Sequence, residues 1–216
     1  MATTFAVSGQ HYLFNVQSFA HTVLAQGGTE FDYSFRDRTT KGVIDDVANG
    51  ASQVGVVVVP SDIAGDLNGV FDESGVEFHE ITASAPQVAL PQSHPLSNAS
   101  KLKLEDLADW PYICFEQESD DPVYAEEALA SVKRNKVVRC TDRASLTELC
   151  SALNGYTVTS GIFVGVFDGS SLTTIALDTP VKLHLGYLTR KGEQLDAVGE
   201  QFVKYLTKCL ERYASN

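Results

Sequence analysis

The side chains able to do chemistry are dispersed along this chain. Its histidines, His11, His21, His79, His94 and His184, show no metal-ligand spacing. The cysteines, Cys114, Cys140, Cys150 and Cys209, form no Cys-x-x-Cys pair and read as reduced, mostly buried thiols rather than a disulfide or zinc framework. There is no Gly-x-Ser-x-Gly, His-Glu-x-x-His, phosphate loop or glycine-rich dinucleotide fingerprint. No arrangement of Ser, His and Asp singles out a triad. Turnover, a metal and a cofactor therefore have no positive support, and none is expected. What the chain offers is recognition chemistry: hydroxyl, amide and charged groups collected in Ser8-Gly9-Gln10, Arg38-Thr39-Thr40 and Phe115-Glu116-Gln117.

The elements that must position these clusters follow from hydrophobic periodicity. A short strand is expected over residues 5–8. A helix follows over 12–25, with Tyr12, Leu13, Val16, Phe19, Val23 and Leu24 at spacings of three and four and Gly27-Gly28 as its stop. Phe31, Tyr33 and Phe35 alternate as a strand does. Thr39 or Thr40 can cap a second helix with an inner face of Val43, Ile44, Val47 and Ala48, ended by Gly50. Residues 54–59 form an apolar run bounded by Pro60, short enough for a strand buried on both faces. Strand, helix, strand, helix, strand implies a parallel sheet with crossover helices. Residues 62–73 are weakly helical, and 76–82 and 87–90 read as strands.

The second half repeats this style. A short helix is expected at 104–108 and a buried strand at 112–115. A helix opened by Pro122 is expected over 122–132, then a strand at 137–140. A capping box of Ser145 and Glu148 would open another helix, stopped by Gly155. Residues 158–164, 172–177 and 181–188 are strand-like. An amphipathic helix carrying Leu195, Val198, Phe202, Tyr205, Leu206, Cys209 and Leu210 closes the chain. No Pro, Gly or Ser-rich linker separates the halves, which suggests two α/β lobes joined by crossing strands with a ligand cleft between them.

Composition is that of an ordinary globular protein of 216 residues, 44% hydrophobic and 20% charged. Its net charge of -12 repels phosphate, so direct contact with nucleic acid is not expected. The longest apolar runs fall far short of the roughly 20 residues of a membrane span. No secretion signal opens the chain, so a cytoplasmic location is expected.

His94-Pro95-Leu96, followed by Leu102-Lys103-Leu104-Glu105-Asp106-Leu107 and Trp110-Pro111-Tyr112-Ile113, resembles the effector-binding domain of LysR-type transcriptional regulators. Residues 5–19, 42–59 and 151–163 resemble its other segments in the same order, so the likeness spans about 5–212. It departs at Gln53-Val54-Gly55, which lacks the usual acidic residue, at Asn154-Gly155-Tyr156-Thr157, which lacks a second glycine, and at Val164-Gly165, where a proline is usual. The resemblance implies an α/β fold of the type-2 periplasmic-binding-protein kind: two Rossmann-like lobes joined by two crossover strands. Lobe I would hold 1–84 plus 185–216 and lobe II 85–184. It implies a ligand-sensing regulatory domain that binds a small-molecule effector between the lobes and alters dimer or tetramer geometry. A transporter's solute-binding protein, and more remotely an enzyme on the same fold, are the alternatives. Family members carry an N-terminal winged helix-turn-helix. With the first strand expected at Phe5, DNA contact would run only through a domain absent from this chain. An antiparallel homodimer is implied, helix 12–25 and strand 31–36 of one copy against helix 122–133 of the other.

Pocket residues in such folds sit at strand ends and helix starts, where unpaired N–H groups and the helix dipole favour an anion. The effector-binding candidates are then Ser8, Gly9 and Gln10; Arg38, Thr39 and Thr40; Val59 and Pro60; Phe115 and Glu116; and Tyr156. Each has a plainer reading. Ser8 and Thr40 can be caps, Arg36 and Arg38 can pair with Asp32 or Asp37, Glu116 can recognise an amine or sit at the rim, and Tyr156 can be core packing. His11 lies nearest the expected cleft edge.

Overall fold

The computed structural model describes residues 3–26, 30–119, 121–164 and 171–214. The expected Gly27-Gly28 stop and the Gly165 departure lie outside these residues.

The first lobe is built on one five-stranded sheet. In chain order its elements are β1 (Thr3–Gly9), α1 (Leu13–Gln26), β2 (Phe31–Asp37), α2 (Thr40–Ala48), β3 (Val54–Pro60), α3 (Ala64–Glu73) and β4 (Val76–Ser84). The strand order is β2-β1-β3, then the returning strand described below, then β4. β1 runs parallel to both β2 and β3. Every residue of β3 is buried, because helices cover both faces of its Val-rich run. Gly55 lets α2 come close: a Cβ there would lie 2.6 Å from Val43 Cγ1 and 2.7 Å from Val47 Cγ2.

The chain passes to the second lobe at residues 85–86. There β5 (Gln87–Pro91), β6 (Lys101–Leu102), β7 (Tyr112–Phe115), β8 (Val137–Cys140), α4 (Arg143–Leu153), β9 (Thr157–Thr159) and β10 (Leu172–Leu177) follow. They make a sheet of order β6-β10-β5-β9 and a parallel β7-β8 pair, tied by a bridge between Tyr112 and Tyr156. Residues 178–182 return the chain to the first sheet. β11 (Leu183–Arg190) pairs antiparallel with β3 and β4, and α5 (Ala197–Ala214) ends the described chain. This is the expected two-lobed, twice-crossed α/β fold.

Several local expectations are corrected. No helix spans 122–132. Only Pro122–Tyr124 winds, as one 3-10 turn, and Leu129 sits at φ 61. The Ala-Glu-Glu-Ala-Leu-Ala run has high helix propensity, but both Glu126 and Glu127 are buried against other elements, and those contacts override propensity. α4 starts before the expected Ser145-Glu148 box, because Asp142 caps it by accepting from Ser145 N at 2.9 Å. It ends on Asn154 in the left-handed region rather than on Gly155.

Of the expected stripe of α1, Leu13 and Phe19 pack half-buried on the core, as does Tyr12 just ahead of the helix, and a largely polar strip turns further inward. Phe14, Asn15, Ser18 and Thr22 are buried, while Leu24 is 79% exposed. The Ser18 and Thr22 hydroxyls donate to the carbonyls of Phe14 and Ser18, so these small side chains are satisfied within the helix. They let α1 pack closely on α5 and its buried Phe202, Leu206 and Leu210.

Candidate functional site

β1 ends at Gly9 and hands over to α1 through a corner rich in buried polar contacts. A Cβ on Gly9 would lie 2.5 Å from Asn15 Nδ2, whose amide donates to the Gln10 carbonyl at 2.8 Å. Gln10 is fully buried. Its Nε2 donates to Thr40 Oγ1 at 2.6 Å and its Oε1 accepts from Val58 N at 2.6 Å. One amide thus fixes the end of β1 to the start of α2 and to β3. Thr39 caps α2 by accepting from Gly42 N.

The next residue, His11, faces the second lobe. Its ring stacks on Phe115 at the end of β7, with centroids 4.1 Å apart. Its Nδ1 lies 2.7 Å from Glu126 Oε1, and its backbone N donates to Glu126 Oε2 at 3.3 Å. Gln117 Nε2 donates to the same carboxylate at 3.4 Å. Glu126 is 1% exposed. A second-lobe carboxylate is therefore held at the N-terminal end of α1, where the helix dipole and unpaired N–H groups favour negative charge. Burial disfavours the imidazolium of His11. The Glu126 hydrogen bond and charge, with Asp37 beyond, outweigh burial and raise its pKa.

Further contacts cross between the lobes. Arg143, at the start of α4, pairs with Asp37 at the end of β2, 3.0 Å apart. Leu129 N donates to Asp62 Oδ2 at 3.1 Å, and Ser84 Oγ to the Ser160 carbonyl at 3.4 Å. The chain's own 121–129 segment, with Val123 packed on the α2 and α3 core, bridges the two lobes. Glu127 turns the other way. Its Oε1 accepts from Phe115 N at 3.0 Å, and burial, reinforced by the charge of Glu126 and opposed by that N–H, pushes its carboxyl up to about 8.

The expected site residues divide into those around this junction and those apart from it. Gly9, Gln10, Thr39, Thr40 and Phe115 surround it. Val59 and Pro60 are buried at the end of β3. Ser8 is fully buried, with its hydroxyl on Asp46 Oδ2 at 2.6 Å and Ser52 at 2.8 Å. Arg38 is exposed and pairs with Asp46, not with Asp32 or Asp37, and Arg36 donates to the Ala51 carbonyl. Glu116 is exposed, its backbone N bonded to the Cys140 carbonyl. Tyr156 is buried against Tyr112, ring centroids 5.3 Å apart. Glu126, Glu127 and Arg143 were missed, since nothing in a Glu-Glu pair tells which carboxylate will be buried.

Among the described residues no group of three His, Cys, Asp or Glu is arranged to hold a metal, and no helix is long and apolar enough to cross a membrane. Burial pushes the thiols of Cys114 and Cys150 up to about 12, which leaves them poor nucleophiles.

Two lobes, two crossings and a polar junction between them define a small-molecule binding domain. Residues 28–210 match the family model of the LysR substrate binding domain. The chain belongs to that family, and it is a ligand-sensing domain of the LysR type. Solved structures agree in fold. The chain is similar to HinK, a LysR family transcriptional regulator from Pseudomonas aeruginosa, at 15% identity and TM-score 0.67, covering 97% of this chain and 70% of that one. It is similar to the effector binding domain of QuiR in complex with shikimate, at 16% identity and TM-score 0.65 over 100% and 98% of the two chains. The reduced OxyR regulatory domain from Pseudomonas aeruginosa shares 13% identity at TM-score 0.69, over 96% of each chain. No curated protein sequence matches the chain.

Proposed function

We propose that this domain senses a small carboxylate-bearing effector between its lobes, and that Glu126 occupies the effector's place until it is displaced. The observation that carries this is the cradle around Glu126: backbone N–H and ring of His11, the Gln117 amide, and the dipole of α1, all on one carboxylate. Gly9, Gln10, Thr39, Thr40, Val59, Pro60 and Phe115 form the walls. Ser8 and Arg38 act from behind through Asp46, Glu116 sits at the rim, and Tyr156 contributes core packing of the second lobe. On this reading the lobes are 1–84 plus 185–216 and 85–184. Shikimate, with which the similar QuiR domain was solved, is a carboxylic acid.

An effector can shift the lobe arrangement only by binding one arrangement better than another. Displacing Glu126 would free the 121–129 segment from His11 and so change how the lobes meet. A homodimer would transmit that change. Leu24 and Phe31, 79% and 45% exposed on α1 and β2, would face exposed Val132 and Val137 of a second copy. The second-lobe partner is then an irregular segment rather than the expected helix 122–133. The domain works in the cytoplasm, without catalysis, and reaches DNA through another domain of the regulator. A thermal-shift panel of small carboxylates, amines and inorganic anions tests the reading. A saturable rise with one carboxylate, lost in Thr40→Val, is expected; binding that is confined to amines would contradict it.

A further inference from the structure

Residues 133–139 read Lys-Arg-Asn-Lys-Val-Val-Arg and hold four of the chain's 16 Lys and Arg residues, within a chain of net charge -12. Lys133, Arg134, Lys136 and Arg139 form no ion pair with a described carboxylate. Most of this run is exposed, but the Arg134 guanidinium is drawn inward. Its carbon lies 4.0 Å over the Tyr112 ring. Its Nη1 donates to the carbonyls of Leu129 and Val132 at 2.9 and 3.0 Å, which closes the 129–134 turn. Its Nε and Nη2 are buried without a hydrogen bond of good geometry to a described residue, though the guanidinium lies close enough to the Tyr156 hydroxyl to temper the rise that burial gives that phenol's pKa; the buried hydroxyl of Tyr112 has no partner among the described residues.

A partly buried cation whose donors are only weakly answered is costly unless something completes its hydrogen bonds. Arg134 also lines a cavity of about 330 Å³ made entirely by second-lobe residues between Tyr112 and Arg139, and a smaller neighbour of about 200 Å³ that reaches Tyr156. The larger volume suits a small molecule. Planar guanidinium donors at a fixed spacing match the paired oxygens of a carboxylate or a phosphate.

We infer that the second lobe carries its own oxyanion site, in which Arg134 and the Tyr112 hydroxyl hold a phosphate or carboxylate group and Lys133 and Arg139 supply charge at the mouth. This site is separate from the junction at His11, and it stands or falls independently of the effector reading. It shares one feature with that junction: the segment that ends at Arg134 begins with the residues that carry Glu126 and Glu127. An anion bound here would tighten the 129–134 turn and so bias the neighbouring carboxylates.

The test titrates inorganic phosphate and, separately, acetate into the intact chain, following Tm at constant ionic strength against chloride. A saturable rise is expected. In Arg134→Lys, which keeps the charge and loses the fork, and in Tyr112→Phe, which keeps the ring, affinity should fall about tenfold or more, the worth of one charge-assisted hydrogen bond. Thr40→Val, at the interlobe junction, should leave the phosphate response unchanged. A response to phosphate alone assigns the site to phosphorylated ligands, and a response to acetate alone to carboxylates. No saturable rise with either anion overturns the proposal, as does equal binding by wild type and both second-lobe variants. Loss of the phosphate response in Thr40→Val instead places that anion at the interlobe junction and also overturns it. Arg139→Gln, at the exposed mouth, gives a weaker loss and keeps the test available if Arg134→Lys does not fold.

Discussion

Replacing Glu127 by Gln should stabilise the domain, and increasingly so as pH rises. The carboxyl is buried, accepts a hydrogen bond from Phe115 N, and is pushed from its ordinary 4.5 to about 8 by burial and then by Glu126. Its folded pKa is therefore above its unfolded one. Below pH 4.5 both states are protonated and the contribution is fully present. Between 4.5 and 8 the unfolded chain releases a proton that the folded chain keeps, so stability falls with rising pH until the folded group titrates. Each pH unit in that window is worth at most about 1.4 kcal/mol, a ceiling of roughly 4–5 kcal/mol. Relaxation and water entry reduce it, so a gain of about 1–3 kcal/mol is expected for Glu127→Gln at pH 8.5. The amide keeps a carbonyl to accept from Phe115 N and carries no charge. Urea denaturation of both proteins at pH 5 and 8.5, at one ionic strength, gives the difference between them at each pH, in which other titrating groups largely cancel. A difference that does not grow with pH, or a variant less stable than wild type at pH 8.5, would refute the reasoning.

Gly9→Ala should destabilise the domain by about 1–3 kcal/mol, because its methyl meets the Asn15 amide that fixes the start of α1; denaturant midpoints check this. Leu24→Glu removes an exposed apolar side chain from the proposed pairing face, and should raise the dimer dissociation constant by about tenfold or more with stability within about 0.5 kcal/mol; sedimentation at several concentrations reads the first and thermal melts the second.

Much of the frame was legible in residue order. The apolar run at 54–59 before Pro60 is short enough for a strand buried on both faces, and Thr39 or Thr40 ahead of Val43, Ile44 and Val47 marks α2 and its inner face; the structure bears out both. The family segments then fixed lobe order. Two features were not legible for physical reasons. α1 reads as amphipathic with Leu13, Val16 and Phe19 inward, and Leu13 and Phe19 do pack on the core, but Ser18 and Thr22 are the more deeply buried because they satisfy their own hydroxyls within the helix. The 122–132 run has helical composition, yet Glu126 gains the His11 cradle and Glu127 the Phe115 N–H only if the helix is not made. Both contacts join residues far apart or across lobes, and no local pattern encodes them. The candidate site was half legible: strand ends and helix caps pointed to Gly9, Gln10 and Thr40, while the resident carboxylate did not show.

The central claim is that the His11 corner is built to hold a carboxylate, and acetate rescue tests it most directly. Glu126→Ala removes one partner of a buried pair, so a loss of roughly 3–5 kcal/mol is expected. Added acetate should then refill the cradle, with a saturable rise in stability of about 2.7 kcal/mol at a hundredfold excess over its dissociation constant. The rise should be absent at matched chloride and clearly larger in Glu126→Ala than in wild type, which still carries its own carboxylate. Acetate that stabilises both proteins equally, or neither, would contradict the account.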